Sequence, residues 1–193
     1  MKNKYSFSEF VKNIYYLILT KLFFSGARLI RRPIYIRGRT SLEGGKGLTT
    51  GRFCRFDLDG NRKTLHIGEN CQFGDFTHIV AHESVTIGDN VLIASKVFIS
   101  DTSHGRYKGE NQSNPSQKPV DRDLDTKAVT IGNNVWIGEN VVILPGCRIG
   151  SGCIVGANSV VTKSIKDKSI AVGSPAIVIK SWDESENKWK YEK

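Results

Sequence analysis

The chain has 193 residues, 39% of them hydrophobic, and this length is enough for one domain with a substantial core. The formal net charge of +9 is uneven, because residues 1–41 contain nine Lys and Arg against Glu9 alone, a net +8. Such a segment suits an anionic membrane surface or an acidic ligand. Nucleic acid is disfavoured as a partner, since no recognised nucleic-acid motif accompanies the charge.

The first predicted element is a helix from Phe7 to Phe24, because Ser6 and Glu9 have the spacing of a capping box. Its longest uncharged run, residues 13–20, is far shorter than the roughly 20 apolar residues of a membrane span. No signal-peptide pattern is present. Two interpretations stay open. The helix packs on the domain or on a neighbouring subunit, or it lies on an anionic leaflet together with the arginines that follow it, Arg28, Arg31 and Arg32.

After the helix, an apolar residue recurs every six positions through most of the chain. The clearest ladder is Ile131, Ile137, Ile143, Ile149, Val155 and Val161. Earlier ladders are Ile67, Phe73, Ile79 and Val85, then Ile87, Ile93 and Ile99, with a fainter one at Ile36, Leu42, Leu48 and Cys54. A helix repeats every three to four residues and an amphipathic strand every two, so a period of six indicates short strands joined by sharp corners. The pattern predicts a solenoid of stacked coils.

Corners and cysteines follow the same period. Gly or Asn follows many ladder residues and is expected to supply the corner conformations. The position two residues before each ladder residue is a second inward slot. Cys71, Cys147 and Cys153 occupy that slot, which interprets them as packing residues rather than disulfide or metal ligands. Unpaired cysteines favour a reducing, intracellular compartment.

The period breaks between Ile99 and Ile131, and we predict a loop ejected near residues 105–128. His104 stands at the root of this loop, where the preceding coil fixes the backbone. An imidazole there could accept a proton as a general base, although position alone favours an exposed or turn-bonded residue. Asp101 could orient the ring or cap the turn, and either of these roles is favoured over direct catalysis.

The predicted organisation is a basic helical segment at 1–33, a β-helix at 34–180 and a tail at 181–193. The tail is expected to be a short helix or frayed, with Trp182 and Trp189 packed against other residues.

Four segments resemble the hexapeptide-repeat O-acetyltransferases, closest to the galactoside, maltose and lipopolysaccharide branch. They are ISDTSHG (99–105), VTIGNNVWIGENVVILPG (129–146), GANSVVTKSI (156–165) and AVGSPAIVIK (171–180). The resemblance implies a mainly β fold, a left-handed parallel β-helix, assembled as a homotrimer with active sites between subunits. It also implies acetyl-CoA as donor and a sugar hydroxyl as acceptor, with no metal.

The resemblance also implies roles for single residues. His104 matches the catalytic base, and Trp136 matches the aromatic residue against the pantetheine arm. The other positions that match coenzyme contacts are Gly138, Glu139, Gly156, Ala157, Thr162, Lys163 and Lys180. Candidate acceptor contacts are Asp75, His78 and Asp101. After GSPA the family usually has Arg or Lys where this chain has Ile177, so some coenzyme affinity is expected to be absent or shifted to other lysines.

The expected function is therefore acetylation of a cell-surface polysaccharide precursor, such as capsule, O-antigen or lipopolysaccharide, by general-base catalysis without an acyl-enzyme. We expect the enzyme in the cytoplasm, with peripheral contact at the inner membrane as one option. Alternatives are acetylation of a free sugar or another small hydroxyl compound, and a non-catalytic β-helical scaffold. A metal-dependent carbonic anhydrase on the same fold would need three converging histidines from His66, His78, His82 and His104.

Overall fold

The computed structural model describes residues 5–192. Helix α1 spans Phe7–Phe23 and begins with the predicted capping box. The Ser6 hydroxyl accepts the Glu9 amide hydrogen at 3.3 Å, and the Glu9 carboxylate accepts the Ser6 amide hydrogen at 3.0 Å. The predicted helix is confirmed and ends one residue early. No helix in the described part of the chain is long and apolar enough to cross a membrane.

The rest of the chain is mainly a parallel β-solenoid with three flat faces, which we call face A, face B and face C in the order in which the chain visits them. Face A contains seven parallel strands, one for each turn. The first three turns are β1 (Leu29–Ile30), β2 (Ile34–Arg37), β3 (Leu42–Gly44), β4 (Thr49–Thr50), β5 (Cys54–Leu58), β6 (Leu65–Ile67), β7 (Gln72–Phe73), β8 (His78–Ala81) and β9 (Val85–Ile87).

The fourth turn contains the interruption. It begins with β10 (Leu92–Ile93) and β11 (Phe98–Ser100), leaves the solenoid as β12 (Thr102–His104) and β13 (Leu124–Thr126), and resumes with β14 (Val129–Ile131). The later turns contain β15 (Trp136–Ile137), β16 (Val142–Ile143), β17 (Arg148–Ile149), β18 (Ile154–Val155), β19 (Val160–Val161) and β20 (Ser169–Val172). The repeat therefore starts at Leu29, slightly before the predicted boundary.

The core is the predicted ladder. Every residue of the three stronger ladders is buried, as are the slot residues Cys71, Cys147 and Cys153. Isoleucine stacks directly on isoleucine, for example Ile93 on Ile137 and Ile99 on Ile143, because parallel pairing holds the same register from turn to turn. The core is thus one continuous apolar column that each added turn extends.

Asparagine and glycine occupy the corners of the solenoid for different structural reasons. Asn134, Asn140 and Asn158 adopt the left-handed conformation, with φ of 56°, 58° and 60°, as predicted. Gly138 does not adopt this conformation, so our explanation for the glycines that follow ladder residues was wrong. A Cβ at Gly138 would lie 2.6 Å from the Ala157 nitrogen, and glycine is required there because the next turn approaches closely.

The C-terminal segment is a β-hairpin, which corrects the predicted helix or frayed tail. Strands β21 (Ile177–Asp183) and β22 (Lys188–Tyr191) are antiparallel and extend the sheet of face A beyond β20. Trp182 and Trp189 pair across the hairpin with ring centroids 5.4 Å apart, edge to face, so their predicted packing role is confirmed. The hairpin covers the end of the sheet and leaves no open parallel edge there.

Candidate active site

His104 is the last residue of β12 and is exposed. The strand leaves the solenoid between face B and face C, which we call the B–C corner, and pairs antiparallel with β13 so that His104 lies opposite Leu124. The predicted loop therefore starts and ends in an ordered two-stranded ribbon. This ribbon holds the backbone of His104 in a regular structure, while the imidazole remains open to a ligand.

The tip of the loop folds back onto the ribbon. The Tyr107 hydroxyl donates to the main-chain carbonyl of His104 and accepts a hydrogen bond from Arg122 Nη1 at 2.8 Å. Arg122 Nη2 also donates to the carbonyls of Pro115 and Gln117, at 3.2 and 2.8 Å. One guanidinium thus connects three parts of the loop, and through Tyr107 the loop also holds the main-chain carbonyl of His104.

Asp101 is fully buried at the root of the ribbon. Its carboxylate accepts the amide hydrogens of His82, Glu83 and Ser84 at 3.1, 2.8 and 2.9 Å, and the Thr102 hydroxyl at 2.6 Å. The expected substrate contact is not supported, because a completely buried carboxylate that is engaged by four donors cannot also reach a substrate. Asp101 instead has the turn-forming role, since it satisfies amides that the departing chain would leave unpaired.

Trp136 is 51% exposed on the outer side of face A, between Leu92 of the preceding turn and Ile154 of the next. The B–C corner, from which His104 leaves, is the corner opposite face A. A single copy of the chain therefore presents His104 and Trp136 on opposite sides of the prism.

Four predicted coenzyme residues follow the face A strands β15 and β18, at the A–B corner of the fifth and sixth turns: Gly138, Glu139, Gly156 and Ala157. Within the chain, Glu139 already has a structural contact, since its carboxylate accepts the Ser95 amide hydrogen at 3.2 Å. Ala157 is exposed. This corner lies beside Trp136, so five of the predicted coenzyme residues share one side of the prism.

The basic residues predicted to contact the coenzyme lie in two separate places. Thr162 and Lys163 are exposed and follow β19 at the B–C corner, two turns beyond the root of the ribbon, which corresponds to about 10 Å along the axis. Lys180 lies on β21 with its Nζ 4.2 Å from the centre of the Tyr191 ring. Ile177 begins the same strand and is 63% exposed, so this position carries an apolar surface where a cation was expected.

The two other candidate acceptor residues differ in character. Asp75 accepts the Arg52 amide hydrogen at 2.7 Å and stabilises a corner in the way Glu139 does. His78 lies on the outer side of face B, where its Nε2 is 3.0 Å from the Asp57 carboxylate and its ring is 5.1 Å from that of Phe98. Both side chains are partly exposed.

A groove of about 740 Å³ beside His78 was missed by the sequence reasoning. Its outward side chains come from the first three turns: Tyr35, Arg37, Phe53, Arg55, Asp57 and Phe76. The Phe53 and Phe76 rings are stacked 4.9 Å apart at the A–B corner, and both are substantially exposed. Roughly 20 residues separate the contributions of successive turns to this groove. The one sequence signal for it was therefore the presence of phenylalanine at corner positions that elsewhere hold small residues.

Charge in the groove centres on Asp57. Partial burial alone would raise the pKa of Asp57, but hydrogen bonds from Arg55, at 2.7 Å, and from His78 hold this pKa below its usual value. Within residues 5–192, the Arg55 guanidinium uses only its Nε in a hydrogen bond, so its two amino groups are available to an anion. Arg37 adds a second cation, 3.7 Å from Asp57.

The histidines of the chain do not converge. His66 lies on face C and contacts Glu43 at 2.8 Å, whereas His78 lies on face B and His82 at the B–C corner. In the part of the chain that the structure describes, no three His, Cys, Asp or Glu residues are grouped as a metal site would require.

Comparisons with known proteins agree with this architecture. Two family descriptions match, bacterial transferase hexapeptide (six repeats) over residues 128–163 and hexapeptide repeat of succinyl-transferase over residues 65–100. The chain is 41% identical over 191 residues to a putative lipopolysaccharide biosynthesis O-acetyl transferase, WbbJ, of Escherichia coli K12, covering 98% of this chain and 97% of that protein. The chain belongs to the hexapeptide-repeat O-acetyltransferase family.

Two further proteins extend the comparison. Galactoside O-acetyltransferase of Escherichia coli K12 is 40% identical over 121 residues, which cover 60% of this chain and 53% of that protein. An S84A mutant of AntD, an N-acyltransferase from Bacillus cereus solved with dTDP-4-amino-4,6-dideoxyglucose and coenzyme A, aligns with a TM-score of 0.71 at 24% identity, over 96% of this chain and 94% of that one. The likeness to AntD shows the fold alone.

As a hexapeptide-repeat O-acetyltransferase, the chain is an acyl-transferring enzyme, and its cysteines are poor candidates for a covalent nucleophile. All four are buried and unpaired. Burial raises the pKa of each thiol, to about 11 for Cys54, so the reactive thiolate is disfavoured. Acyl transfer through one of these thiols is inconsistent with that environment.

Proposed function

We propose that this enzyme transfers an acetyl group from acetyl-CoA to a hydroxyl of a carbohydrate in a cell-surface polysaccharide precursor, with His104 as general base. The observation that carries the proposal is the exposed imidazole on an ordered ribbon at the single break of the repeat. The full-length similarity to a protein named for lipopolysaccharide biosynthesis supports this acceptor class. Four buried, unpaired cysteines fit a cytoplasmic enzyme.

The chemistry requires one proton acceptor and no covalent enzyme intermediate. As His104 takes the proton of the acceptor hydroxyl, the hydroxyl oxygen attacks the thioester carbonyl carbon and forms a tetrahedral oxyanion. Main-chain amides in the cleft would stabilise that charge. The carbon–sulfur bond then breaks, the imidazolium returns its proton to the leaving sulfur, and the products are an acetyl ester and coenzyme A.

We propose that the working unit is a homotrimer in which neighbouring copies complete each site. His104 and Trp136 lie on opposite sides of one prism, so a neighbour is needed to bring a base beside a coenzyme aromatic. In a cyclic assembly around an axis parallel to the solenoid, all copies stand at the same height. The B–C corner of one copy would then face Trp136 and the A–B corner of the next.

The order of features along the axis supports the same arrangement. The groove with Phe53, Phe76 and Arg55 occupies the first three turns, and the coenzyme residues near Trp136 begin in the fifth. The ribbon with His104 leaves from the fourth turn, between the two levels. We therefore assign the groove to the acceptor. The acetyl group would approach it from the side of the fifth turn, and His104 of a neighbouring copy would lie between the groove and the coenzyme residues. Phenylalanine rings can stack on the apolar face of a sugar or a nucleobase, and the arginines can bind a phosphate.

An acceptor screen tests the proposal. Coenzyme A release from acetyl-CoA would be followed with nucleotide sugars, lipid-linked glycans and free sugars, using wild type, His104→Ala and His66→Ala. We expect release with a glycan precursor, loss of that activity in His104→Ala and retention in His66→Ala, whose histidine lies on face C. Activity only with free sugars would replace the acceptor assignment, and equal activity in His104→Ala would remove the base.

A further inference from the structure

Helix α1 turns its polar side toward the domain. Glu9, Asn13, Tyr16 and Thr20 follow one another at helical spacing, and all four are at least partly buried. Thr20 is the only fully buried residue of the helix, and its hydroxyl accepts the Ile30 amide hydrogen at 2.8 Å. A helix that belongs to a domain normally directs its apolar side inward, so this orientation is reversed.

The opposite side of α1 is apolar and exposed. Eight side chains there are between 43% and 83% exposed: Phe7, Phe10, Val11, Ile14, Tyr15, Leu17, Ile18 and Leu22. At 3.6 residues per turn they cover an arc of about 160°. The one charged residue inside the arc is Lys21, and its Nζ is bonded to the Ala27 carbonyl at 3.2 Å. An apolar surface of this width on an outer helix indicates an interaction site.

An apolar slot lies between this helix and the first strand. Its volume is about 370 Å³, and its walls include Phe10, Ile14, Leu17 and Leu29. Arg28 and Arg31 also line it. The slot could accept the two chemical parts of an anionic phospholipid. Its apolar walls suit an acyl chain, and the guanidinium groups beside it suit a phosphate.

We propose that the exposed arc of α1 docks the enzyme on the surface of an anionic lipid bilayer. The helix has 17 residues, about 25 Å, and would lie in the interface plane with its apolar arc among the acyl chains. The net charge of +8 over residues 1–41 complements anionic headgroups. The same charge disfavours a second copy as the occupant, because two such segments would repel each other. This inference rests on α1 and stands independently of the proposed catalytic function.

Vesicle sedimentation of the full chain tests the proposal. The probes are phosphatidylglycerol and phosphatidylcholine vesicles, at low and high salt. We expect the wild type to bind phosphatidylglycerol strongly and phosphatidylcholine weakly, with binding reduced by salt. Ile14→Gln with Ile18→Gln keeps helix propensity and should weaken binding to phosphatidylglycerol at least about tenfold. Lys12→Gln with Arg28→Gln should weaken it and lower its salt dependence.

Val120→Gln is the matched control, because Val120 is a 78% exposed aliphatic residue on the distant loop, and binding should be unchanged. Light scattering of the same variants reports the mass of the assembly. Three results would overturn the proposal: no binding of wild type to phosphatidylglycerol, equal binding to both lipids, or an Ile14→Gln, Ile18→Gln variant that binds normally but changes its oligomeric mass. The last result would make the arc a contact between copies.

Discussion

Face A and the ribbon at the B–C corner are built in opposite ways. On face A, Trp136 stands between Leu92 and Ile154 because parallel strands repeat one register at every turn. The ribbon is antiparallel, occurs once, and carries His104 at a position that no other turn contains. The repeat thus supplies a rigid surface on which contacts are spaced regularly, and the interruption supplies an exposed imidazole on an ordered ribbon.

The largest expected effect concerns the ribbon. His104→Gln removes the proton acceptor but keeps a polar side chain, so turnover should fall by about 10² to 10⁴. Initial rates of coenzyme A release measure the fall, and calorimetry should find acetyl-CoA affinity unchanged. His66→Gln, on face C, serves as the control. A His104→Gln enzyme that turns over at the wild-type rate would reduce the ribbon to a structural element.

Stability should separate the ribbon root from an ordinary corner. Asp101→Ala leaves three partly buried amides without their acceptor, and we expect a loss of about 3 kcal/mol in the free energy of unfolding, measured with urea. Asp75→Ala removes a single amide contact, that of Arg52, and should cost about 1 kcal/mol. Equal losses would mean that the root of the ribbon is no more dependent on its carboxylate than any other corner.

Face A should affect binding rather than chemistry. Trp136→Ala is expected to weaken acetyl-CoA binding about tenfold, since it removes an aromatic contact, while saturated turnover changes little. A higher KM for acetyl-CoA with preserved kcat is the measurement. An unchanged KM would argue against a coenzyme contact on face A.

Mixing the two defective chains sharpens the comparison further. If His104 and Trp136 of one site come from different copies, refolding His104→Gln together with Trp136→Ala should restore intact sites at about a quarter of the interfaces. Activity would be read at acetyl-CoA concentrations below KM. Mixtures no more active than the separately refolded chains would assign both groups to one copy.

The smallest effect concerns the core beneath both regions. Burial raises the pKa of Cys54 from 9.0 to about 11, so the folded protein keeps the thiol protonated after the unfolded chain has released its proton. This contribution to stability is complete below pH 9 and is lost as the pH rises toward 11. Cys54→Ala should therefore show a flatter decline in unfolding free energy over that interval. A decline identical to wild type would exclude Cys54 as its source.

Local sequence accounts for much of the structure because its signals are short in range. The capping box at Ser6 needs only Glu9, and each ladder position needs only a residue six places away. The C-terminal hairpin was missed for the opposite reason. Strand β21 forms by pairing with β20 at the end of an existing sheet, and the acidic run between Trp182 and Trp189 is a turn only in that context.

The candidate site divides in the same way. Motif resemblance identified His104 and Trp136, and the structure presents both as exposed side chains. The resemblance did not identify the groove, because Phe53, Phe76 and Arg55 become neighbours only when the turns stack. The resemblance placed Asp101 among the acceptor contacts, whereas the structure shows the turn-forming role that its position in the sequence had also suggested.

By itself, the order of residues determined that the chain coils with a period of six, where that period breaks, and which side chains enter the core, because burial in a repeat is decided locally. Only the tertiary structure decided which faces carry Trp136 and His104, where the groove forms, and that α1 turns its apolar side outward. These depend on how turns stack and on which surface remains uncovered, and no local pattern encodes them.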